Sequence, residues 1–395
     1  MSDSSRVRVS IVAESVYGST PSSPAMLILP ITGASLQDRV GYVQSNVIVD
    51  SRNVEDLVRV SKSAGGGIPC ELRYSPADGG LDRAIRAVLC SGAFTAAATV
   101  NSVEVVGLGT TITRGSGSFV SDGFEVGDLV RLSDNNNGDD GFYMVTAVEA
   151  LTLTVQAAGS QGAGWTDDDS SCVVVRGARA KNGTTNVSFS VEVAYLDLQI
   201  AHIFTGCVFS GAEIGVAIGQ LSTIAFSLDG QTSTRVDSNT GTTDQFIAGA
   251  TYTAAASHPT LDPIGVQEIK VAGSDYAASS VNMSLTNNVR GREQLGALGP
   301  QSMAKGQFGA TGRISAYFED FDDHDDFAEN VASSVWWAML DANSRGYSFS
   351  YPQVKFSDVS NPVQGNNADV FKSIAATAYK DPTELCTLRM QRWGD

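Results

Sequence analysis

The chain has 395 residues, of which 42% are hydrophobic and 17% are charged, and it contains 40 glycines but only 11 prolines. Such a composition is that of a folded protein with room for two or three domains, rich in strands and turns, and it excludes a disordered chain. The formal net charge of −17 argues against a protein that grips nucleic acid or an anionic membrane surface through lysine and arginine.

The N-terminal region, residues 1–97, is predicted to contain strands followed by one helix. Residues 80–91 carry the best helical pattern in the chain, because their apolar side chains recur on one stripe: Leu81, Ala84, Ile85, Val88 and Leu89. A turn is expected at the three glycines of residues 65–67. Strands are expected at residues 6–13, 24–31, 43–50 and 68–74.

The start of the chain lacks the apolar run of a signal peptide, and no stretch approaches the length of a membrane span. The five cysteines are odd in number and scattered, with no CxxC pair. This pattern predicts reduced, mostly buried thiols rather than a disulfide framework. We therefore expect a soluble protein that is made in the cytoplasm.

Residues 98–180 are predicted to form an inserted domain. Polar turns separate the short strands of this region, which is the spacing of a small β-barrel or sandwich. The insertion also carries a large part of the net negative charge. Its strands are expected at residues 102–106, 109–113, 128–133, 142–148, 151–156 and 172–176.

The remaining sequence predicts a duplicated unit. Strands are expected at residues 187–197, 200–209 and 224–228, followed by a polar linker at residues 231–244. The strand before Arg52 and the strand before Arg290 each lead to a glycine, to a strand ending in an aromatic residue, and to a short helix, the second at about residues 323–332. The order of elements predicts a first domain of residues 1–97 with 181–235, and a second domain of residues 236–395.

Three segments carry a resemblance to a known family. The first is residues 14–21, with the sequence Glu-Ser-Val-Tyr-Gly-Ser-Thr-Pro. The second is Asp50-Ser51-Arg52 followed by the glycines of residues 65–67. The third is residues 281–318, with the pair Asn287-Asn288 and then Arg290, Leu295-Gly296 and a strand that ends at Phe318. In this order they resemble the tail tube proteins of long-tailed (siphovirus-type) bacteriophages.

The resemblance implies a mainly β fold of tube domains, each a β-sandwich or barrel with a flanking helix, and a structural virion protein rather than an enzyme. In such a protein the sheets join side by side into a ring, and stacked rings form a tube that conducts DNA into the host. A duplicated chain implies a ring of three chains, and an unduplicated chain implies six. The implied partners are other copies of the chain, the tape measure protein and DNA in the lumen, and other tail proteins at the tube ends.

Physical reasoning adds two expectations about such a tube. Strand edges that would be a hazard in a monomer become joints when the ring closes. Stacking needs connecting segments that reach the next ring, and we expect these at residues 32–42 and 231–262. Since DNA phosphates are repelled by carboxylates, an acidic lumen lining is also expected.

The remaining polar clusters predict no catalytic, cofactor-binding or metal residue. The acidic run at residues 319–326 could hold a hard cation, but it lacks the spacing of a calcium loop and is typical of a solvated helix start. Residues 134–140 are interpreted as a hairpin turn rather than an ion site. The three histidines, His202, His258 and His324, have no accompanying nucleophile motif, and a structural role is expected for His202.

The pair Trp336-Trp337 connects to the main alternative function. Core packing is the favoured interpretation of these two rings, and the alternatives are a subunit contact and a sugar-stacking platform. A sugar platform would suit a β-rich surface adhesin or carbohydrate-binding module. Another tail protein, such as a tail terminator or a sheath protein, is the nearer alternative because related folds recur there.

Overall fold

Strands make up 53% of the computed structural model and helices 6%, with two α-helices, so the predicted mainly β class is confirmed. The structure describes residues 3–48, 50, 52–106, 110–134, 140–156, 168–238, 244–363, 365–366 and 369–394. Within these residues, no helix has the length and apolar character that crossing a membrane requires. All five cysteines are buried, as predicted.

The elements follow the chain in three groups. Before the insertion lie β1 Val7–Ala13, β2 Ala25–Ile28, β3 Gln37–Gln44, β4 Leu57–Glu71 and α1 Gly80–Leu89. The insertion holds β5 Ala98–Val106, β6 Thr111–Arg114, β7 Leu129–Ser133, β8 Gly141–Val148, β9 Thr152–Val155 and β10 Asp168–Arg176. After it come β11 Ala178–Lys181, β12 Phe189–Tyr195, β13 Ile200–Ala217, β14 Thr223–Gly230, β15 Thr232–Asp237 and β16 Thr251–Thr253.

The C-terminal part contains the second α-helix. Its elements are β17 Val266–Val271, β18 Ser274–Asp275, β19 Ala278–Thr286, β20 Arg290–Arg292, β21 Ser302–Ala304, β22 Gly309–Tyr317, α2 Asp322–Ala328, β23 Ser333–Leu340, β24 Gly346–Ser360, β25 Phe371–Ala378 and β26 Arg389–Trp393. Short 3₁₀ turns precede β1 and β17.

Both predicted helices are present. Helix α1 ends where Cys90 adopts a left-handed conformation with φ of 52°, two residues before the predicted end. Its apolar stripe is buried against the main core, and this burial holds the short helix in place. Helix α2 begins in the acidic run, where carboxylates favour the positive N-terminal end of a helix, and it ends earlier than predicted.

Four local predictions are wrong. Strand β3 lies at Gln37–Gln44 instead of residues 43–50, so residues 32–42 are largely strand rather than a link. The glycines of residues 65–67 lie inside β4 and not in a turn. A Cβ on Gly66 would meet the carbonyl oxygen of Ser35 at 2.3 Å, so glycine there permits a close approach of β4 to the segment that leads into β3. The expected linker at 231–244 contains β15, which pairs with β13.

One antiparallel sheet spans both flanking regions. We call it the wall sheet, and its strands run in the order β3, β4, β14, β13, β19, β22, β25, β24. Its inner face, with helix α1, contributes to the main hydrophobic core. Only the second half of β13 and of β24 belongs to the wall sheet, because the first half of each strand pairs with other strands.

The same pairing order occurs twice in the chain. In the first half, β1 pairs with β12, β12 with β13, and β13 with β15. In the second half, β17 pairs with β23, β23 with β24, and β24 with β26. The wall sheet repeats likewise, since the order β3, β4, β14, β13 corresponds to β19, β22, β25, β24. Helix α1 contacts β13 and helix α2 contacts β24, and these two strands are counterparts in the repeated order.

The insertion forms a closed six-stranded barrel in the order β10, β5, β6, β9, β8, β7, with a hydrophobic core of its own. An apolar layer that includes Phe142 and Trp336 joins the barrel to the second half of the chain. The ring of Phe142 meets that of Trp393 edge to face, with centroids 4.9 Å apart. The side chain of Gln391 donates to and accepts from the backbone of Leu129 across the same boundary, at 2.8 and 2.7 Å.

A buried charge cluster fixes the barrel beneath this layer. Asp128 has a fully buried side chain, and both of its carboxylate oxygens accept hydrogen bonds from Nη1 of Arg179, at 2.7 and 2.8 Å. Arg389, also fully buried, donates to the same carboxylate at 3.1 Å. Because Asp128 belongs to the insertion and Arg389 to β26, the barrel is attached by desolvated ion pairs as well as by apolar contact.

Candidate assembly surfaces

The outer face of the wall sheet is an open surface of small polar side chains. Alternation along each strand sends one set of residues into the core and the other to this face. The outward set is rich in serine, threonine, alanine and glycine, and includes Thr223, Ala225, Ser227, Asn282, Ser284, Thr311, Ala375 and Thr377. Such a surface offers no chemically reactive group and few bulky side chains.

Charges on this face occur largely as exposed ion pairs. Arg39 contacts Asp229 at 3.2 Å, and Arg313 contacts Asp358 at 3.8 Å. Glu213 adds a further exposed acid. The acids of this face are therefore mostly balanced by neighbouring bases, and the net negative charge of the chain is not concentrated here.

The wall sheet ends in two exposed edges. At one end, β3 pairs with β4 on one side, and the described residues contain no strand on its other side. At the other end, the last residues of β24 pair with β25 and likewise have no second neighbour in the described part of the chain. Each edge therefore presents backbone N–H and C=O groups that a further strand could pair with.

The described residues in the range 40–61 form an exposed arm next to the first edge, which we call the first arm. It is built from the outer parts of β3 and β4 and the segment between them. Its described part carries a concentration of exposed apolar side chains, with Ile48 98% exposed. The others are Val40, Tyr42, Val43, Val47, Val54, Leu57, Val58 and Val60. Apolar groups gathered in this way are typical of a surface that another chain covers.

Residues 287–308, the second arm, hold the corresponding place between β19 and β22. Residues 290–298 of this arm are exposed, but its two ends contact the first half of the chain. Asn287 is buried and donates to the carbonyl oxygens of Val88 at 2.8 Å and Phe209 at 3.2 Å. The ammonium group of Lys305 lies 2.9 Å from the carbonyl oxygen of Ala87 at the C-terminal end of α1. A cation is favoured at that end of a helix, so the second arm seals the first half of the chain.

The acidic run is organised by a lysine and a tyrosine. Lys372 is buried and contacts Asp320 at 3.1 Å as well as Asp323. The Tyr276 hydroxyl donates a hydrogen bond to Asp323. Burial is the larger cause that raises the pKa of Tyr276, and this hydrogen bond raises it further. Burial alone would lower the pKa of Lys372, but its hydrogen bonds to Asp323 and Asp320 raise it. The cluster therefore acts as an internal ion-pair network.

Asp326 gives this cluster a testable dependence on pH. Burial and the neighbouring carboxylates of Asp323 and Asp322 raise the pKa of Asp326. A raised folded-state pKa means that the charged carboxylate opposes folding at neutral pH, and that this cost disappears below the unfolded value of about 4. We expect Asp326→Asn to stabilise the subunit by up to about 0.5 kcal/mol at pH 7 and to be neutral at pH 3, as measured by urea unfolding.

Asp381→Asn is the control with the opposite sign. Burial alone would raise the pKa of Asp381, but the backbone N–H groups of Glu384 and Thr383, at 2.6 and 2.7 Å, lower it. This stabilisation is present above the unfolded pKa and is lost as the pH falls. Asp381→Asn should therefore destabilise by about 1 kcal/mol at pH 7, with the difference shrinking in acid. Equal effects of both variants at every pH would contradict this account.

The other residues singled out from the sequence have structural positions. His202 is half-buried and accepts a hydrogen bond from Arg235 at 2.8 Å. Burial is the larger cause that lowers the pKa of His202, and the positive charge of Arg235 lowers it further. Its ring also meets that of Phe204 edge to face, so the expected structural role of His202 agrees with its contacts. His258 lies edge to face with Tyr74. Of the turn predicted at residues 134–140, positions 135–139 lie outside the described residues.

Both tryptophans of the pair are buried, as predicted for core packing. Trp337 lies in the main core and stacks on Phe349, with centroids 4.8 Å apart. Trp336 points the opposite way, into the layer between the barrel and the second half. With exposed fractions of 1% and 2%, neither ring can serve as a sugar-stacking platform.

Strand edges were expected from the sequence to act as joints, but the sequence did not indicate that β3 and β24 form them, and it did not indicate the first arm. The segment 231–262, which was expected to reach a neighbouring ring, instead contributes β15 and β16, paired with β13 and β2. The run Leu57-Val58-Arg59-Val60 was a usable signal, because apolar residues that are not helical in period indicate a strand.

An extended sheet with a polar face, two open edges and an exposed apolar arm is typical of a structural protein. A family model described as phage tail tube protein matches residues 4–378, nearly the whole chain, and the chain belongs to that family. It is a structural family and not an enzyme family, and its members are components of the virion tail. No curated protein gives a significant match to the chain.

Proposed function

We propose that copies of this chain polymerise into stacked rings that form the phage tail tube, the conduit for DNA ejection into the host. The observation that carries the proposal is the repeated pairing order of the wall sheet, in which two successive units are already joined edge to edge. One chain then supplies two tube domains, residues 1–97 with 181–235 and residues 236–395. A ring of six such domains needs three chains, and a ring that uses one unit from each chain would need six.

The open face of the wall sheet is the surface that we assign to the lumen. Its small hydroxyl and methyl groups give DNA phosphates no cluster of lysine or arginine to bind. The expected acidic lining stays a prediction, since the exposed acids of this face mostly lie beside bases. The tape measure protein and then DNA would occupy the channel, and other tail proteins would cap the tube ends.

The inserted barrel is assigned to the outside of the tube, because it is attached to the part of the fold that lies away from the open face. We propose no catalytic activity, cofactor or metal for the chain, and we propose assembly in the host cytoplasm. The tail-tube function is preferred to an adhesin, a carbohydrate-binding module or a tail terminator because the family match covers both flanking regions and the insertion.

Assembly of the purified chain at rising concentration tests the proposal. Electron microscopy should show hollow rings and tubes, and the mass of single rings should equal three chains. Rings of six chains would retain the tube function and contradict the use of two units per chain. A protein that remains a compact monomer at every concentration, even with tail-initiating components supplied, would overturn the tube function.

A further inference from the structure

We propose that residues 358–363, which comprise the end of β24 and the segment that follows it, pair antiparallel with residues 34–39 of a second copy of this chain, at the start of β3. Asp358 then lies opposite Arg39 and Ser360 opposite Gln37. This inference rests on the proposed function and identifies the two surfaces that meet in the ring. The first arm of one copy then packs against helix α2 of the next. The argument starts from a complete joint of the same kind inside each chain.

That internal joint is the pairing of β13 with β19. Gly211 lies opposite Thr286, and the register continues to Ala217 opposite Ser280. The N–H of Asn287 donates to the carbonyl oxygen of Ser210, and the N–H of Ile218 donates to that of Ser279. Because hydrogen-bonded and non-hydrogen-bonded pairs alternate in an antiparallel ladder, Gly211–Thr286 and Glu213–Ser284 are non-hydrogen-bonded pairs.

Two irregularities define how β24 corresponds to β13. The ladder of β13 with β14 is interrupted between Phe209 and Gly211, and that of β24 with β25 between Phe356 and Asp358. The ladders with β12 and β23 are interrupted between Cys207 and Phe204 and between Val354 and Tyr351. Both irregularities give the same alignment of the two strands, so Asp358 is the counterpart of Gly211 and Ser360 that of Glu213.

The partner strand is aligned by following the paired residues across the sheet, starting from Gly211 in one half and from Asp358 in the other. Gly211 pairs with Ser227 and Ser227 with Gly67, while Asp358 pairs with Ala375 and Ala375 with Arg313. Gly67 and Arg313 are thus counterparts. Their neighbours on the next strand continue the alignment, since Gly65 pairs with Gln37 and Thr311 with Ser284. Gln37 therefore corresponds to Ser284, and Arg39 to Thr286.

The residues at the two edges are compatible with this register. Asp358 and Arg39 are both exposed and of opposite charge, and a non-hydrogen-bonded position brings their side chains closest together. Pro362, which lacks an N–H, corresponds to Gly215, whose N–H is not directed at the partner strand in the internal joint. The proline therefore removes no hydrogen bond from the proposed ladder.

The arms supply an independent observation. In the internal joint, the second arm covers the C-terminal end of α1, whose apolar residues are almost all buried. Helix α2 is its counterpart, and its surroundings are exposed, with Phe321 61% and Phe327 41% accessible. The first arm carries exposed apolar residues in the corresponding place. Helix α2 and the first arm are both exposed, whereas their counterparts, helix α1 and the second arm, contact each other within the chain. We therefore expect helix α2 and the first arm to make the same contact between two copies.

Cross-linking measures the register directly. The double variant Gln37→Cys with Ser360→Cys places thiols at a non-hydrogen-bonded pair, where the Cα separation suits a disulfide. The native cysteines are buried and do not compete. Oxidation of assembled tubes should convert most chains to covalent dimers and trimers on non-reducing gels. The matched control is Asp38→Cys with Ser360→Cys, which is displaced by one residue and should give little covalent product.

The outcomes separate this joint from the tube function. Tubes in which the control links as well as the Gln37–Ser360 pair, or in which neither links, would overturn the proposed register and leave the tube function standing. A chain that never assembles would overturn both. As a second measurement, Arg39→Asp should raise the protein concentration needed for tubes by at least about tenfold, and adding Asp358→Arg should restore much of the loss. An unchanged threshold for Arg39→Asp would also overturn the joint.

Discussion

Replacing Asp128 by alanine is expected to destabilise the subunit by about 3–5 kcal/mol, the cost of leaving buried charges without their counterion. The carboxylate is the shared partner of Arg179 and Arg389, whose side chains are 7% and 0% exposed. It also accepts a hydrogen bond from the backbone N–H of Glu125 at 2.8 Å. Urea unfolding of the purified subunit, below the concentration at which it assembles, measures the loss.

The matched control is Asp122→Ala, which removes an aspartate of the same barrel. Asp122 pairs with Arg114 at the surface, where its side chain is 39% exposed, so the loss should stay within about 1 kcal/mol. Similar unfolding curves for the two variants would show that the Asp128 cluster does not hold the barrel to the sheet. A barrel released by Asp128→Ala should also exchange its amide hydrogens faster than the wall sheet does.

The order of elements was accessible from the sequence because its strongest signals are local. The apolar stripe of residues 80–91 identifies α1, and the polar turns of the insertion identify short strands with nearly correct bounds. The acidic run identifies the start of α2 for the same reason, since carboxylates at a helix N-terminus act within one turn. These signals depend on neighbours along the chain, which a sequence displays directly.

The alignment between the two halves was not accessible in the same way. The sequence pattern aligns the strand before Arg52 with the strand before Arg290. The strand pairings instead make Asp38 the counterpart of Leu285. A sheet tolerates many side chains on its open face, so few identities survive to mark the register. The pairing partners themselves supply that information, and they are distant in sequence.

The buried cluster at Asp128 was likewise invisible before the fold was known. Its members come from the insertion, from the segment that leaves it and from the last strand, and each taken alone resembles an ordinary surface charge. Burial of a charge is a property of the assembled structure, and composition cannot report it. The sequence therefore predicts the insertion only as a domain of its own, while the structure shows it attached to β26 by an ion pair, a side-chain hydrogen bond and aromatic packing.

Trp337→Ala is expected to cost about 3–5 kcal/mol of unfolding free energy, the range found when a large buried aromatic is truncated. Its ring stacks between the second-half strands, on Phe349 and at 6.0 Å from Tyr351, and it is 1% exposed. No nearby side chain can fill the space without leaving its own packing, so a cavity should remain. Thermal and urea unfolding of the unassembled subunit measure the loss.

Tyr42→Ala is the matched control, because it also removes an aromatic ring from a β-strand, here the exposed strand β3. Tyr42 is 56% exposed on the first arm, so its loss should change subunit stability by no more than about 0.5 kcal/mol. In assembly the expected effect of Tyr42→Ala is different, because this variant should weaken tube formation although its subunit is fully folded. A Trp337→Ala subunit as stable as Tyr42→Ala would mean that the second-half core tolerates the cavity, against the close packing that the stacked rings indicate.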